Sequence, residues 1–359
     1  MIFSPGFINL KNNKLIAVDE FIEKALYHPI KGYYSKKVPF GSQGDFITAP
    51  TLSNLFSEII GIWLISTWEK MDKPERLNFV ELGPGDGSLA KVLVNIFEKF
   101  PEFNKAIKIF LYEKSELLKK IQKNKIRNSN IKWIDNFDSI NKGPIIFFGN
   151  EFFDAIPIKQ FSYFKKKLFE KFYIFNSKTG LSETYREASK KNIKKIKSFK
   201  TLNDHNFIEY PQLGFLELEK MVNKVSKLSG GILLIDYGYL DIVNTNTLQA
   251  VMGNKKININ TLFKNPGKAD ITYLVNFSLL KEFFIKKSFK VENIVSQKFF
   301  LEKMGILERA KILKKRMTFK EEERMSHTLK RLLHKKSMGE LFKVIFAYKS
   351  RKNNFLGFE

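Results

Sequence analysis

One segment of this chain constrains the fold more than any other: an apolar run that enters a glycine-rich turn. The run Asn78–Leu82 predicts a short buried strand, and the sequence reads ELGPGDG from position 81 to position 87. Apolar residues then recur at helical spacing from Leu89 onward. Glycines allow a tight turn and a close approach of the backbone to a ligand. A strand, a glycine loop and a helix in this order are typical of α/β folds that bind a nucleotide-like cofactor.

The spacing of the loop glycines separates two classes of cofactor. It is G-x-G-x-G, whereas dinucleotide-binding folds have G-x-G-x-x-G and point a helix N-terminus at a pyrophosphate. S-adenosylmethionine has no phosphate but carries a sulfonium and an ammonium cation, and Glu81 supplies a carboxylate at the strand end. The sequence therefore predicts that Glu81, Gly83, Pro84, Gly85 and Gly87 bind S-adenosylmethionine. A strand-to-helix turn without a ligand is the alternative.

Strands and helices alternate after the loop, which predicts a parallel sheet with crossover helices. We expect a Lys-rich insertion at about 159–215 with a hairpin at 168–175, a long loop at 240–275 and basic helices at 301–336. The further predicted strands span residues 107–112, 131–134, 145–148, 232–235, 289–297 and 341–348.

The domain organisation follows from this alternation. Residues 1–75 are expected to form an N-terminal helical extension and a loop, with helices at 18–29 and 52–64. Residues 76–359 are expected to form the main domain, which contains the two insertions.

Polar residues follow two further predicted strands. Glu113 ends the second strand, where an acidic residue in nucleotide-type folds accepts hydrogen bonds from two ribose hydroxyls. Asn150, Glu151 and Asp154 follow the fourth strand, at the sheet edge where open parallel sheets bind ligands. They are our candidates to contact the methyl group and to orient or deprotonate an acceptor nitrogen, with Asn150 also contacting the donor. A helix N-cap is the alternative for one of these carboxylates.

Two more segments are candidates for the substrate side. The segment 41–50 reads GSQGDFITAP, and its Gly and Pro content fits a shaped loop that covers a site. Asp236 and Tyr237 end the fifth strand on the same edge of the sheet. The candidate residues on the substrate side are Gly44, Asp45, Phe46, Thr48, Asp236 and Tyr237. A structural turn is the alternative for the loop.

Composition excludes several kinds of chemistry. The chain has no cysteine, so disulfides, thiolate metal sites and a cysteine nucleophile are absent. Its four histidines show no metal-ligand spacing, and we predict no metal. The formal charge is +25, and because the excess is mostly Lys, we interpret it mainly as codon bias and a solvated surface. No stretch resembles a membrane span, a signal peptide or a presequence, so we expect a cytoplasmic protein of a bacterium.

Taken in order, these motifs resemble one family, the MidA-like methyltransferases. The resemblance extends over roughly residues 15–350 and rests on seven blocks in the same order. The blocks are Ala25–Pro29 with Gly32–Tyr34, Gly44–Pro50, Glu81–Gly87, Tyr112–Glu113 with Ser115, Asn150–Ala155 with Pro157, Ile235–Gly238 and Ala269–Thr272.

The resemblance implies a Rossmann-like class I methyltransferase fold with a seven-stranded sheet, an N-terminal helical extension and substrate-side insertions. It implies S-adenosyl-L-methionine as the donor. The mitochondrial member of the family is an arginine methyltransferase needed for assembly of respiratory complex I, which implies a protein arginine in a complex I subunit as the acceptor. The chain departs from the family at Asn276, where an Asp is usual, and at Leu248–Met252, where basic and aromatic residues are usual.

Three alternatives stay open at this point. The positive charge favours an RNA methyltransferase, although no RNA-recognition motif is present and nucleic acid is the less favoured partner. A complex I assembly factor that keeps the fold without catalysis is the second alternative. A nicotinamide enzyme is the third, and the glycine spacing disfavours it. The sequence does not identify the oligomeric state.

Overall fold

Strands and helices alternate along most of the chain. A computed structural model describes residues 15–36, 48–126, 128, 130–176, 180–253, 255–257 and 267–359. The strands are β1 (Leu15–Ala17), β2 (Leu77–Leu82), β3 (Ile107–Tyr112), β4 (Ile131–Ile134), β5 (Ile145–Asn150), β6 (Lys159–Phe164), β7 (Lys167–Asn176), β8 (Gly180–Glu187), β9 (Phe207–Tyr210), β10 (Gly230–Tyr239), β11 (Gln249–Met252), β12 (Lys255–Ile257), β13 (Asp270–Thr272), β14 (Val275–Asn276), β15 (Lys290–Val291), β16 (Val295–Ser296) and β17 (Phe342–Lys349).

Helices cover both faces of the main sheet and occupy much of the C-terminal part. They are α1 (Val18–Tyr27), α2 (Tyr33–Lys36), α3 (Ala49–Leu52), α4 (Asn54–Lys70), α5 (Ser88–Phe97), α6 (Pro101–Ala106), α7 (Glu116–Lys125), α8 (Lys190–Lys197), α9 (Gln212–Leu228), α10 (Phe277–Lys286), α11 (Gln297–Lys303), α12 (Ile306–Lys314), α13 (Phe319–Leu333) and α14 (Met338–Leu341). None of the helices in the described part of the chain has the length and apolarity needed to span a bilayer.

The central sheet is built around five parallel strands. Seven strands follow the path β15-β17-β10-β5-β2-β3-β4, with the short strands β14 and β16 paired to β10 and β17. The strands β4, β3, β2, β5 and β10 run parallel, and β17 runs antiparallel to β10. The predicted α/β class with a seven-stranded sheet is confirmed.

Both faces of this sheet are buried, because successive strand residues point to opposite sides. Phe147 belongs to the cluster that packs under α1, α9 and the insertion. Its neighbours Ile146 and Phe148 belong to the cluster formed with α4, α5 and the C-terminal helices. Strands buried on two faces read as continuous apolar runs, and for that reason the sequence located the parallel strands.

The insertion forms an antiparallel sheet of its own. Its strands follow the order β1-β7-β6-β9, and β8 pairs with β7. The N-terminal strand β1 joins it by pairing Leu15 with Ile174 and Ala17 with Phe172. The prediction of a hairpin at 168–175 was wrong, because this segment lies within the single strand β7, which pairs antiparallel with β6 and β8. The division into an extension at 1–75 and a main domain at 76–359 stays a prediction.

Two further predictions of secondary structure were wrong. The segment 240–275 is more than a long loop, because β11 pairs with both β12 and β13 in a three-stranded sheet. The predicted strand 289–297 consists of two short strands against β17. Val291 pairs with Ala347, and Val295 pairs with Val344. Between these pairs, residues 292–294 lie opposite only residues 345 and 346 of β17, so one extra residue interrupts the ladder as in a β-bulge.

Candidate functional site

The carboxyl ends of three parallel strands meet at one edge of the central sheet. In the register of these strands, Leu82 of β2 pairs with Gly149 of β5, and Asn150 pairs with Ile235 of β10. The glycine loop and the turn after Asn150 therefore lie side by side. Asp236 lies within β10, directly after the last residue of that strand that pairs with β5. This edge is where open α/β sheets place their ligands.

The glycine loop needs glycine at each of its three positions. Gly83, Gly85 and Gly87 have φ values of 59°, 55° and 79°, in the left-handed region that favours glycine. A Cβ atom on Gly87 would lie 2.9 Å from Cδ1 of Ile126. The Gly87 N–H donates to the Pro84 carbonyl at 2.9 Å, so the loop closes on itself before α5 begins.

Helix α7 fixes the loop to the end of β3. Gln122 donates to the Gly85 carbonyl at 2.8 Å and to Oε2 of Glu113 at 3.2 Å. Oε1 of Glu113 accepts from the Ser115 N–H at 2.8 Å. Lys125 binds the Asp86 carboxylate at 2.6 Å. The orientation of Glu113 is therefore set by the same residue that holds the loop.

A cleft of about 470 Å³, open to solvent, lies over this loop, and we call it the loop cleft. It contains two buried acceptor atoms, Oε2 of Glu81 and Oδ1 of Asn150, that find no hydrogen-bond partner among the described residues. Burial, with the charges of Asp86 and Glu113, raises the pKa of Glu81 well above its ordinary value. The residues that line the loop cleft are Thr48, Pro50, Thr51, Glu81, Leu82, Gly83, Pro84, Gly85, Asp86, Ser88, Leu89, Phe148, Asn150 and Glu151.

These features fit S-adenosyl-L-methionine. Unpaired acceptors at Glu81 and Asn150 suit a ligand that brings an ammonium group and a sulfonium cation. The loop glycines leave the backbone open to close approach, as a ligand seated on the loop requires.

The turn after β5 is strained and tightly held. Glu151 has φ of 50°, a left-handed value that a non-glycine residue adopts at a cost. Its N–H donates to the Ile235 carbonyl at 2.9 Å, and the Asn150 amide donates to its Oε1 at 3.1 Å. Strain maintained by surrounding bonds is typical of functional sites.

Asp236 lies behind this turn and holds it. Its Oδ2 accepts from the N–H groups of Phe153 at 2.9 Å and Asp154 at 3.2 Å. Its Oδ1 accepts from the Tyr237 N–H at 3.0 Å, and the Tyr237 hydroxyl donates to Oδ2 of Asp154. Asp236 is only 1% exposed, whereas Tyr237 is half-buried. The structure thus places Asp236 beneath the turn and Tyr237 beside Asp154.

Burial raises the pKa values of the acidic residues around the turn. The pKa of Glu151 rises to about 8, through burial first and the charge of Asp154 second. The pKa of Asp154 rises to about 6 through burial, although the Tyr237 hydroxyl lowers it. The pKa of Asp236 is raised well above its ordinary value by burial and by the charges of Asp154 and Glu151. Such clustered shifts mark candidate proton-transfer groups.

A second, larger cleft of about 1970 Å³ adjoins the first, and we call it the carboxylate cleft. It shares Glu151 and Thr48 with the loop cleft. The two clefts therefore meet at the strained turn. The residues that line the carboxylate cleft are Tyr34, Thr48, Glu151, Asp154, Tyr237, Val243, Thr245, Asn246, Thr247, Leu248, Gln249, Val251, Lys256, Ile257, Asp270, Thr272, Leu274, Arg331, Met338, Leu341 and Phe342.

Comparison with known proteins identifies the family. The model of a family of S-adenosyl-L-methionine-dependent methyltransferases matches residues 59–295, more than half of the chain. The chain belongs to this methyltransferase family. The predicted donor, S-adenosyl-L-methionine, and the predicted enzyme class are thereby confirmed.

Curated relatives resemble this chain over most of its length. The protein arginine methyltransferase NDUFAF7 of Xenopus tropicalis, named as mitochondrial, is 27% identical and covers 93% of this chain and 82% of the relative. The human protein of the same name is 29% identical, with 85% and 73% covered. The crystal structure of a protein from Burkholderia thailandensis, bound to S-adenosyl-homocysteine, matches with a TM-score of 0.79 at 20% identity. The match covers 96% of this chain and 90% of that chain. This last likeness supports the fold.

Most of the site residues predicted from sequence lie at the two clefts of the methyltransferase. Lining the loop cleft are Glu81, Gly83, Pro84, Gly85, Asn150 and Glu151, and lining the carboxylate cleft are Thr48, Glu151, Asp154 and Tyr237. Three predicted residues, Gly87, Glu113 and Asp236, line neither cleft. Gly44, Asp45 and Phe46 lie outside the described residues. The functional role of each residue stays a prediction.

Sequence reasoning missed several residues of the carboxylate cleft. Tyr34 and Asp270 belong to blocks that carry the family resemblance, but no pattern in the sequence assigned them a role. Arg331 lies in a basic helix that the sequence indicated to be a solvated face, yet it lines the cleft and its charge lowers the pKa of Glu151. The role of Arg331 could be recognised only from its place near Glu151 in the folded structure.

Proposed function

We propose that this methyltransferase transfers a methyl group from S-adenosyl-L-methionine to an arginine nitrogen of a protein, a subunit of respiratory complex I. The observation that carries the proposal is the junction of the two clefts at Glu151. One cleft has unpaired acceptors that suit the donor, and the other brings carboxylates to the junction. The names of the curated relatives and the MidA-like resemblance support arginine and complex I.

The donor side uses residues of the loop cleft together with Glu113, which lies outside that lining. The Glu81 carboxylate and the Asn150 side-chain oxygen receive the amino end of the donor, and the glycine backbone lets it approach. Glu113, which Gln122 and the Ser115 N–H orient, accepts hydrogen bonds from the ribose hydroxyls. When bound, S-adenosyl-L-methionine supplies an electrophilic methyl group on a sulfonium.

The acceptor side must bind and deprotonate a cation. Arginine is protonated at neutral pH, so a carboxylate has to accept the proton that its nitrogen loses. With a pKa of about 8, Glu151 is mostly protonated at pH 7 in the unliganded protein. A guanidinium beside it lowers that pKa, since an opposite charge favours the ionised form. Binding of the acceptor therefore produces the base, with Glu151 or Asp154 in that role.

A labelling experiment tests the acceptor class. The protein is incubated with S-adenosyl-L-methionine labelled in the methyl group and with lysate from a strain that lacks the gene, followed by mass spectrometry of labelled material. We expect label on arginine in a protein band that survives nuclease and is lost with protease. Label that is lost with nuclease would show an RNA acceptor, and absence of label with normal donor binding would show a non-catalytic assembly factor.

We also propose that the protein acts in the bacterial cytoplasm. The curated relatives are named as mitochondrial, a compartment that a bacterium lacks. Immunoblotting of cytoplasmic, membrane and periplasmic fractions tests the location, and a signal in the periplasmic fraction would contradict it.

A further inference from the structure

Two sequence blocks of the family resemblance have no role in the mechanism above, and the structure brings them together. Tyr34 ends the block Gly32–Tyr34, and Asp270 lies in the block Ala269–Thr272. The Tyr34 hydroxyl donates to the Asp270 carboxylate, 3.0 Å from Oδ1 and 3.1 Å from Oδ2. The two residues are 236 positions apart, so only the fold makes them neighbours.

The Asp270 carboxylate has a fixed orientation. Asp270 begins β13, pairs with Val251 of β11 and is 4% exposed. The N–H of Ile271 donates to its Oδ1 at 2.9 Å, in addition to the bond from Tyr34. A carboxylate held from two directions loses little conformational entropy when a ligand binds it.

Tyr34 is equally well held. Its ring stacks on that of Tyr27, with 5.4 Å between centroids and 22° between planes. Its carbonyl accepts from the Ser115 hydroxyl at 3.0 Å, and Ser115 also caps α7, the helix that holds the glycine loop. The Tyr34–Asp270 pair is thus tied to the same framework as the donor side.

The pair lines the carboxylate cleft together with Glu151 and Asp154. A guanidinium has five N–H donors in a planar fork and pairs with more than one carboxylate at once. A carboxylate that takes up a proton has to engage the nitrogen that is methylated. Once it has taken up the proton, that carboxylate is neutral, while the methylated guanidinium keeps its positive charge. A second carboxylate therefore has to pair with the cation, because a buried charge without a partner is costly. Asp270 has the charge and the location for this second task.

We propose that Asp270, oriented by Tyr34, is the specificity-determining residue that binds the cationic head group of the acceptor. It selects a guanidinium and leaves the proton transfer to Glu151 or Asp154. This inference rests on the proposed function, since it assumes an arginine acceptor.

The test uses the full-length protein and the substrate protein identified by labelling. For Asp270→Asn we expect KM for the substrate protein to rise about tenfold or more, since hydrogen bonds to charged groups are strong. Its kcat and its donor affinity should stay within about twofold, because the base and the loop cleft are intact. Tyr34→Phe should raise KM about threefold, and Asp270→Glu should recover part of the loss. Asp135→Asn and Tyr185→Phe, at exposed positions remote in sequence from both blocks, are the matched controls.

The outcomes separate this inference from the proposed function. If the unaltered protein labels arginine and Asp270→Asn keeps its KM, the inference is overturned and the proposed function stands. A fall in kcat with constant KM would also overturn it, since Asp270 would then act in the chemical step. If the unaltered protein labels no arginine, the proposed function fails, and with it the inference.

Discussion

The two clefts at the sheet edge are built in different ways. The loop cleft draws most of its lining from one continuous segment, Glu81–Leu89, and its shape depends on backbone conformation. The carboxylate cleft gathers side chains from segments between Tyr34 and Phe342. The donor side therefore depends on local geometry, and the acceptor side depends on charges that the tertiary fold assembles. Substitutions that distort the backbone and substitutions that remove a charge should separate the two.

The largest effect should come from removing a carboxylate at the junction. Glu151→Gln and Asp154→Asn are each expected to keep donor affinity, and the variant that lacks the base should lose about 10²–10⁴ in kcat. Calorimetry with S-adenosyl-homocysteine and single-turnover rates with labelled donor measure the two quantities. Glu102→Gln, at an exposed position, is the control. If both variants bind donor normally and methylate normally, neither residue is the base.

The second largest effect should appear in donor affinity when the backbone of the glycine loop is distorted. Gly87→Ala places a Cβ 2.9 Å from Cδ1 of Ile126 at φ of 79°, whereas Gly253→Ala at φ of 60° meets nothing within 4 Å. Strain at each position costs about 1–3 kcal/mol, but only Gly87 lies in the glycine loop. We expect Gly87→Ala to weaken donor binding about tenfold and Gly253→Ala to leave it within about twofold. Equal donor affinities in the two variants would show that loop geometry does not control donor binding.

A third prediction concerns pH. The pKa values of Asp154 and Glu151 are raised to about 6 and about 8, so these groups lose their charge as the pH falls through those values. The ionised form accepts the proton, and the single-turnover rate with saturating donor should therefore rise from pH 5.5 to pH 9. Because the groups interact, the inflections belong to the pair. A rate that is flat over this range would argue against a carboxylate base.

The smallest effect should appear in stability. The pKa of Glu151 is about 8 in the folded protein against 4.5 ordinarily, so the folded state binds its proton more tightly than the unfolded state. The ionised side chain thus costs folding free energy increasingly as the pH rises above about 4.5, up to about 8. We expect Glu151→Gln to raise Tm by about 2–4 °C at pH 8 and hardly at pH 4.5. Calorimetric scans at both pH values measure it, and an unchanged Tm at pH 8 would contradict the expected cost.

The sequence predicted the parallel part of the fold well and the antiparallel additions poorly. The predicted strand 107–112 coincides with β3, because a strand buried on both faces reads as an apolar run. The small sheet of β11, β12 and β13 was missed, because its strands have only three or four residues each, too few to show an alternating pattern. The Asn276 departure has a simple structural reading: its side chain caps α10 by accepting from the Leu279 N–H at 2.9 Å.

By itself, the sequence determined the turn of the glycine loop, because the glycines at 83, 85 and 87 encode local backbone angles. The bond from Gln122 and the neighbouring Asn150 came from the fold. The acceptor side was decided by the tertiary structure. The bond between Tyr34 and Asp270 joins residues 236 positions apart, and Arg331 reaches the cleft from a helix near the C-terminus. The raised pKa values of Glu151 and Asp154 likewise follow from burial and proximity, which exist only once the sheet edge has formed.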